Sequence, residues 1–189
     1  MNIIVKTSAG NCIVRPDTTW EKDNEDFFPP DYIGELSFTP VLFARITKPG
    51  KSIGLRFASR YYNLISCGML LYPENLMDGS PEAFAAASCI DHTSFLSDPL
   101  FDKGELGLRG FRILAGESEI FRTEDNIMSA ALIENALSEA STRVYMRTGD
   151  IIAAELAPRT HLCGRSDGNI CAKGFFGEDK VLDFNIIVD

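Results

Sequence analysis

A length of 189 residues favours one domain, and 45% of these residues are hydrophobic, 24% charged and 10% aromatic. This composition excludes a disordered, collagen-like or coiled-coil protein, and no apolar run approaches the ~18 residues that cross a bilayer. Eighteen basic and 27 acidic residues give a formal net charge of −9. On electrostatic grounds, nucleic acid and anionic membranes are therefore poor partners.

The cysteines indicate a reducing compartment. There are five, an odd number, and none is spaced as CxxC. A domain of this size needs no disulfide cross-links, so we expect reduced thiols in a cytoplasmic protein. The N-terminus, MNIIVKTSAGN, lacks a basic segment followed by a long apolar one, and so does not have the pattern of a signal peptide.

Strand signals dominate the first half of the chain. Pro40 lies inside the longest strand candidate and indicates an edge strand or a bulge. In chain order we predict a hairpin over 2–5 and 12–14, a surface loop over 15–34, a long strand over 36–46, a short helix over 56–62 and a buried strand over 64–71.

The second half contains the one long helix that the sequence predicts, over 125–141. Asp125 is its expected N-cap, and its apolar stripe consists of Ile127, Ala130, Ile133, Leu137 and Ala140. The other predicted elements are a short Ala-rich helix within 73–87, a strand over 88–95, a hairpin over 110–114 and 119–122, a strand over 149–154, and a hairpin over 170–176 and 181–188. Together these elements predict a single mostly-β or α+β domain over residues 1–189.

Five segments, in order along the chain, resemble the fumarylacetoacetate hydrolase family. The similarity extends from about Cys12 to Ile187 at near-constant spacing. The segments are Arg15-Pro16-Asp17, FFPPDY at 27–32, ARITKPGKSI followed by RFASRYYN at 44–53 and 56–63, CIDHTS at 89–94, and RTGDII at 147–152. The resemblance implies a mixed β-sheet roll with the helix 125–141 packed against it.

In members of this family, Mg²⁺, Mn²⁺ or Ca²⁺ binds to an E-x-E pair and an aspartate, and the metal supports hydrolase, isomerase or decarboxylase chemistry. The resemblance places these three ligand positions on Thr39, Val41 and Leu70, and no Asp or Glu lies between Leu36 and Leu71. Hard divalent cations require anionic oxygen ligands. We therefore expect no metal and no other cofactor.

Other functional residues of the family are also replaced in this sequence. Its active-site lysine falls on Ser88, and its R-D-L-Q segment falls on Glu74-Asn75 and Met77. Its G-T-P loop is replaced by residues 155–158. Its lid with a His-Glu pair is replaced by the short connection 8–11. The resemblance therefore implies that the lid segment is missing.

Two functions remain open. The first is a non-catalytic, degenerate family member that acts as a binding or structural module. The alternative is a divergent hydrolase, isomerase or decarboxylase for a small oxo-acid or diketo-acid, with a site rebuilt from such residues as Asp91, His92, Tyr72, Glu74 and Glu155. The candidates for the former pocket are Arg15, Thr39, Tyr72, Glu74, Ser88, Asp91, His92 and Glu155.

The resemblance also predicts a partner. Related proteins are usually dimers, and the 13 phenylalanines of this chain favour an apolar face that a second subunit covers. We therefore expect a two-fold homodimer or a pairing with a paralogous subunit.

Four local patterns admit a structural interpretation as well as a functional one. Asp91 and His92 are neighbours, but successive residues of a strand point to opposite faces, which argues against a catalytic pair. A zinc site at His161, Cys163 and Cys171 would lack a fourth ligand. The acidic residues Glu21, Asp23, Glu25 and Asp26 indicate a solvated loop or weak cation binding, and Arg15, Arg159 and Arg165 indicate either an anion pocket or solvated side chains.

Overall fold

The computed structural model describes residues 1–123 and 128–188. Its α-helices are α1 (Leu55–Ala58), α2 (Pro81–Ala87) and α3 (Ala130–Arg143). Its strands are β1 (Asn2–Lys6), β2 (Cys12–Pro16), β3 (Trp20–Glu21), β4 (Glu35–Arg45), β5 (Leu64–Pro73), β6 (Ser94–Phe95), β7 (Phe101–Asp102), β8 (Phe111–Ala115), β9 (Ser118–Arg122), β10 (Ile151–Glu155), β11 (Thr160–Gly164), β12 (Ile170–Phe176) and β13 (Asp179–Ile186).

The strands form two sheets. The larger has the order β2-β1-β10-β4-β5-β6-β3, with β11 also beside β4 and β7 also beside β5, and the smaller has the order β13-β12-β8-β9. The larger sheet is mixed, because β1 pairs with β10 in parallel whereas β4 pairs with both β5 and β10 in antiparallel fashion. The predicted mostly-β, α+β fold with mixed sheets and one long helix is confirmed.

Pro40 lies in a central strand, so the expected edge position is wrong. On one side β4 pairs continuously with β5. On the other side β10 ends opposite Val41 and β11 begins opposite Phe38. Pro40 therefore falls at the break between two partner strands, where its missing N–H costs no ladder bond. Its carbonyl still accepts a hydrogen bond from the Leu156 N–H at 2.8 Å.

Apolar side chains cover both faces of the larger sheet, because side chains alternate along each strand. On β4, Leu42 and Ala44 belong to the main core. The same core contains the apolar side chains of α3 and those on the inner face of the smaller sheet. Val41 and Phe43 point the other way into a second, smaller cluster. That second cluster forms the floor of the candidate site.

Several predicted elements differ in extent from those observed. Helix α3 begins at Ala130 with Ser129 at its N-cap, and Asp125 and Ile127 lie outside the described residues. The short helix predicted over 56–62 is a single turn, and the predicted strand 88–95 shrinks to β6. The loop 15–34 contains β3, which pairs in parallel with β6. None of the helices in the described ranges has the length and apolarity that a membrane crossing requires.

Candidate functional site

A cavity of about 850 Å³ opens on the face of the larger sheet that carries the second cluster. The connection between β1 and β2 and the helix α2 form its walls. Strands β4, β5 and β10 contribute Thr39, Tyr72 and Glu155 to it. These three side chains lie together because β4 is hydrogen-bonded between β5 and β10.

Glu155 is the carboxylate at the centre of this cavity. Its Oε1 accepts hydrogen bonds from the Tyr72 hydroxyl at 3.2 Å and from the Thr39 hydroxyl at 3.3 Å. Its Oε2 accepts one from the Ser8 backbone N–H at 2.8 Å. The side chain thus joins the sheet to the β1–β2 connection.

The three positions assigned to the metal ligands lie together on one face of the larger sheet. They are Thr39 and Val41 on β4 and Leu70 on β5. Thr39 is in register with Leu70 on the neighbouring strand, and Val41 lies two residues further along the same face. Val41 and Leu70 are 0% exposed and pack in the apolar second cluster. Glu155, in register with Val41 on β10, accepts a hydrogen bond from the Thr39 hydroxyl.

This donor set does not fit a hard divalent cation. Such an ion takes six or more oxygen ligands, several of them anionic, and this place offers one carboxylate, two hydroxyls and two hydrocarbon side chains. Residues 1–123 and 128–188 contain no group of three or more His, Cys, Asp or Glu side chains that could hold a metal ion.

Arg15 is a fully buried cation behind Tyr72. Its Nη2 donates to the Leu71 carbonyl at 3.2 Å and to the Thr93 hydroxyl at 2.6 Å, and its guanidinium carbon lies 4.8 Å from the centroid of the Tyr72 ring. Its Nε and Nη1 have no hydrogen-bond partner among the described residues. Burial lowers the pKa of Arg15 because its guanidinium is removed from water, but the side chain remains a cation.

Burial also controls the ionisation of Tyr72. It raises the pKa of the Tyr72 hydroxyl to about 12, with a smaller upward contribution from Glu155, while the positive charge of Arg15 acts in the opposite direction. Tyr72 therefore keeps its proton at neutral pH. It can donate the hydrogen bond that Glu155 accepts.

An aromatic pair and a second arginine form the outer wall of the cavity. The rings of Tyr72 and Phe84 stack with centroids 5.7 Å apart, and the Arg159 guanidinium lies 5.9 Å and 6.0 Å from their centroids. Arg159 Nε donates to Glu74 Oε2 at 3.0 Å, and the Ser37 hydroxyl donates to the same oxygen at 2.6 Å. Glu74 thus fixes Arg159 at the rim and does not line the cavity itself.

Asp91 and His92 lie in a different cleft, of about 530 Å³, together with Glu25, Asp26, Phe28 and Tyr32. They belong to a turn in which His92 has φ +57°, so the expectation of a strand with alternating faces is wrong here. His92 Nδ1 lies 3.1 Å from Glu21 Oε2 and so pairs with Glu21.

Of the eight candidates, the structure therefore brings Thr39, Tyr72, Ser88 and Glu155 to one cavity. Arg15 lies behind it, Glu74 acts at its rim, and Asp91 and His92 are elsewhere. Phe84 was not among the predicted site residues, because the Ala-rich segment around it predicts only a short helix. The anion pocket of three arginines does not form, because Arg165 bonds to the carbonyls of Pro29, Pro30 and Ile33.

No protein-family model and no curated protein sequence matches the chain. Solved structures do. Fumarylpyruvate hydrolase from Pseudomonas aeruginosa, in complex with Mn²⁺ and pyruvate, has a TM-score of 0.81 at 12% identity, with 100% of this chain and 90% of that chain covered. A fumarylacetoacetate hydrolase family protein from Yersinia pestis CO92 has a TM-score of 0.80 at 14% identity, with 98% of this chain and 92% of that chain covered.

A third structure, 5-carboxymethyl-2-hydroxymuconate delta-isomerase from Mycobacterium smegmatis, has a TM-score of 0.76 at 12% identity, with 94% of this chain and 68% of that chain covered. The three neighbours share a hydrolase and isomerase fold in spite of their low identity to this chain. The resemblance found in the sequence is thereby confirmed at the level of the fold: the chain has the fold of the fumarylacetoacetate hydrolase family.

Proposed function

We propose that the protein is a non-catalytic member of the fumarylacetoacetate hydrolase family that binds a small organic molecule in the cavity beside Glu155. The observation that carries this proposal is the state of Val41 and Leu70, which stand at two of the three assigned ligand positions and are fully buried hydrocarbon side chains. In this family the metal is what supports the reaction, so its loss removes the chemistry and leaves the fold.

The energetics support the loss of the metal. A divalent cation moved to the face of Val41 and Leu70 would give up its hydration without anionic compensation, which is strongly unfavourable. Glu155 alone offers one negative charge, and its two oxygens already accept three hydrogen bonds. The same residues are better suited to hold the sheet and the β1–β2 connection in place.

The cavity itself supports a binding function. Its volume of about 850 Å³ lies within the range of pockets that take small organic ligands. One wall is apolar and aromatic around Phe84, and the charged groups of the lining are the carboxylate of Glu155 and the guanidinium of Arg159. This arrangement suits a molecule with an apolar body and a polar end.

Binding can be tested with the fluorescent probe 8-anilinonaphthalene-1-sulfonate. Ala85 lines the cavity, whereas Ala86, which is also exposed but points about 100° away around the axis of α2, does not. We expect A85W to weaken probe binding at least tenfold, because the indole fills the mouth, and A86W to bind as the wild type does. Equal affinity of all three proteins would contradict a ligand site in this cavity.

The alternative is a divergent hydrolase, isomerase or decarboxylase with a rebuilt site. The hydrogen bond between Tyr72 and Glu155 favours it, since it places a phenol and a carboxylate side by side near a buried cation. The separate position of Asp91 and His92 argues against it.

An assay of a small 2,4-dioxo acid such as acetylpyruvate, with and without Mn²⁺, separates the two functions. We expect no turnover above background. Turnover that the wild type shows and E155Q lacks would establish the divergent enzyme instead.

A further inference from the structure

The cleft that contains Asp91 and His92 is a second concave site, separate from the cavity beside Glu155. Of the described residues, only Cys89 lines both. Its walls come from the segment 21–32, which precedes β4, and from the turn 89–92, which precedes β6. Its volume of about 530 Å³ lies within the range of sites that take small organic molecules. The function proposed above does not involve this cleft.

Two large aromatic side chains of the cleft are open to solvent. Phe28 is 64% exposed and Tyr32 59% exposed. Within residues 1–123 and 128–188, neither ring stacks on another aromatic ring. Uncovered rings that line a concave site provide contact area for a ligand, and their faces attract positive charge. The aromatic lining therefore points to a ligand independently of the charges around it.

The carboxylates of the cleft have negative charge that no cation of the chain compensates. Within the described ranges, Glu25, Asp26 and Asp91 form no ion pair. Asp26 Oδ1 accepts hydrogen bonds from the backbone N–H and the side-chain amide of Asn185, at 2.8 Å and 2.9 Å, and so is held in place. No lysine or arginine of the described residues lines the cleft. Its lining therefore attracts cations and repels anions.

Contacts between distant parts of the chain hold the cleft in shape. Glu21 is 4% exposed, and its Oε2 lies 3.1 Å from His92 Nδ1, which joins the two walls. The Phe27 N–H donates to the Asn185 carbonyl at 2.8 Å, and the Phe27 carbonyl accepts from the Ile187 N–H at 2.9 Å, which fixes the segment 21–32 to the end of β13. A site that is formed before binding loses less conformational entropy when a ligand enters.

The spacing of the charges does not suit a metal ion. A hard divalent cation requires several anionic oxygens within about 2.0–2.6 Å, and the described residues include no group of three or more Asp, Glu, His or Cys side chains that could provide them. A larger organic cation can contact separate carboxylates and aromatic rings at the same time. The lining therefore favours a cation with an apolar body.

We propose that this cleft binds a small organic ammonium ion. The carboxylates of Glu25, Asp26 and Asp91 compensate its charge, and the rings of Phe28 and Tyr32 contact its apolar body and attract its positive end by cation–π interaction. The net charge of −9 adds to this attraction and opposes the entry of an anion.

Isothermal titration calorimetry with benzyltrimethylammonium at low salt tests this site. We expect saturable 1:1 binding to the wild type, and binding at least fivefold weaker to F28A and to E25Q/D91N. The control is E117Q/E178Q, which neutralises two exposed carboxylates in the β8–β9 and β12–β13 turns and has the same net charge as E25Q/D91N. It should bind as the wild type does. Benzyl alcohol, which has the ring without the charge, should bind at least fivefold more weakly than the ammonium ion.

Absence of saturable binding to the wild type would overturn the proposal, as would undiminished binding to F28A and E25Q/D91N that circular dichroism shows to be folded. An equal loss in E117Q/E178Q would overturn it too, because the attraction would then come from the acidic surface as a whole. Binding that A85W weakens and E25Q/D91N does not would place the probe in the cavity beside Glu155 instead. A peptide of four lysines that binds more tightly than the probe, and that F28A releases, would identify a basic partner protein and overturn the small ligand.

Discussion

Tyr72 and Glu155 are 83 residues apart in the sequence, yet the Tyr72 hydroxyl donates a hydrogen bond to Glu155 Oε1 at 3.2 Å. They lie on strands β5 and β10, which flank the central strand β4. Thr39 of β4 donates to the same oxygen. The carboxylate thereby ties together the side chains of three neighbouring strands above the apolar floor.

Replacing Glu155 separates its hydrogen-bonding role from its charge. E155Q keeps one acceptor oxygen for Tyr72 and Thr39, and the exposed Ser8 N–H can bond to water instead, so we expect the free energy of unfolding to change by less than about 1 kcal/mol. E155A leaves the buried Tyr72 hydroxyl without this acceptor and should cost about 1–3 kcal/mol. Urea denaturation of the two variants measures the difference, and equal losses would show that the charge itself holds the site.

The raised pKa of Tyr72 predicts an alkaline loss of stability. In the unfolded chain tyrosine ionises with a pKa of about 10, whereas in the native state Tyr72 ionises at about 12. Its stabilising contribution is therefore complete below pH 10 and is lost as pH rises from about 10 to 12, by about 2–3 kcal/mol.

Y72F removes this contribution. The difference in unfolding free energy between wild type and Y72F, measured from pH 9 to 11.5, should shift in favour of the variant as the pH rises. The ultraviolet absorbance of tyrosinate should lose a late-titrating component in Y72F. A difference that stays constant over this range would show that Tyr72 ionises like an exposed tyrosine.

Arg15 tests whether the buried cation is needed for folding. Because no carboxylate among the described residues pairs with it, R15M, of similar volume, should lie within about 1 kcal/mol of the wild type or above it. R15A leaves a cavity and should cost about 3–5 kcal/mol. The two variants are compared by thermal unfolding. If R15M were as unstable as R15A, the charge, and not the packing, would be essential.

Gly68 predicts a steric effect at the junction of β5 and β6. A Cβ at this position would lie 2.3 Å from the Phe95 carbonyl oxygen and 2.8 Å from Leu96 Cδ2. Because the closest contact is backbone, G68A should lose more than about 2 kcal/mol of stability in urea. G34A is the control, since its Cβ would meet nothing closer than Asn75 at 3.9 Å. Equal stability of the two variants would contradict the close approach of the strands.

Local sequence patterns were sufficient to predict the hairpins. The hairpins β1–β2, β8–β9 and β12–β13 follow from alternating apolar residues around short turns, and the structure contains all three. The apolar stripe of α3 likewise predicts its buried side, with Ile133, Leu137 and Ala140 in the core. In each case neighbouring residues carry the information.

The site depends on strand order, which local patterns do not contain. The pairing of Tyr72 with Glu155 requires that β10 lies beside β4, and no spacing in the sequence specifies that. At Asp91 and His92, a prediction from local sequence was wrong. A strand was predicted over 88–95, but only Ser94 and Phe95 form one, and the chain turns at His92, where φ is +57°.

The central claim, that the former metal position no longer holds a divalent cation, is tested most directly by thermal unfolding in MnCl₂. A site with a Kd near ~10 µM would stabilise the native state by about 2.7 kcal/mol at ~1 mM Mn²⁺, which for a chain of this size raises the Tm by roughly 5–10 °C. With Thr39, Val41 and Leu70 in the ligand positions, we predict no rise beyond that of an ionic-strength control. A Mn²⁺-specific rise that E155A abolishes would contradict the account and show that the site has been rebuilt around Glu155.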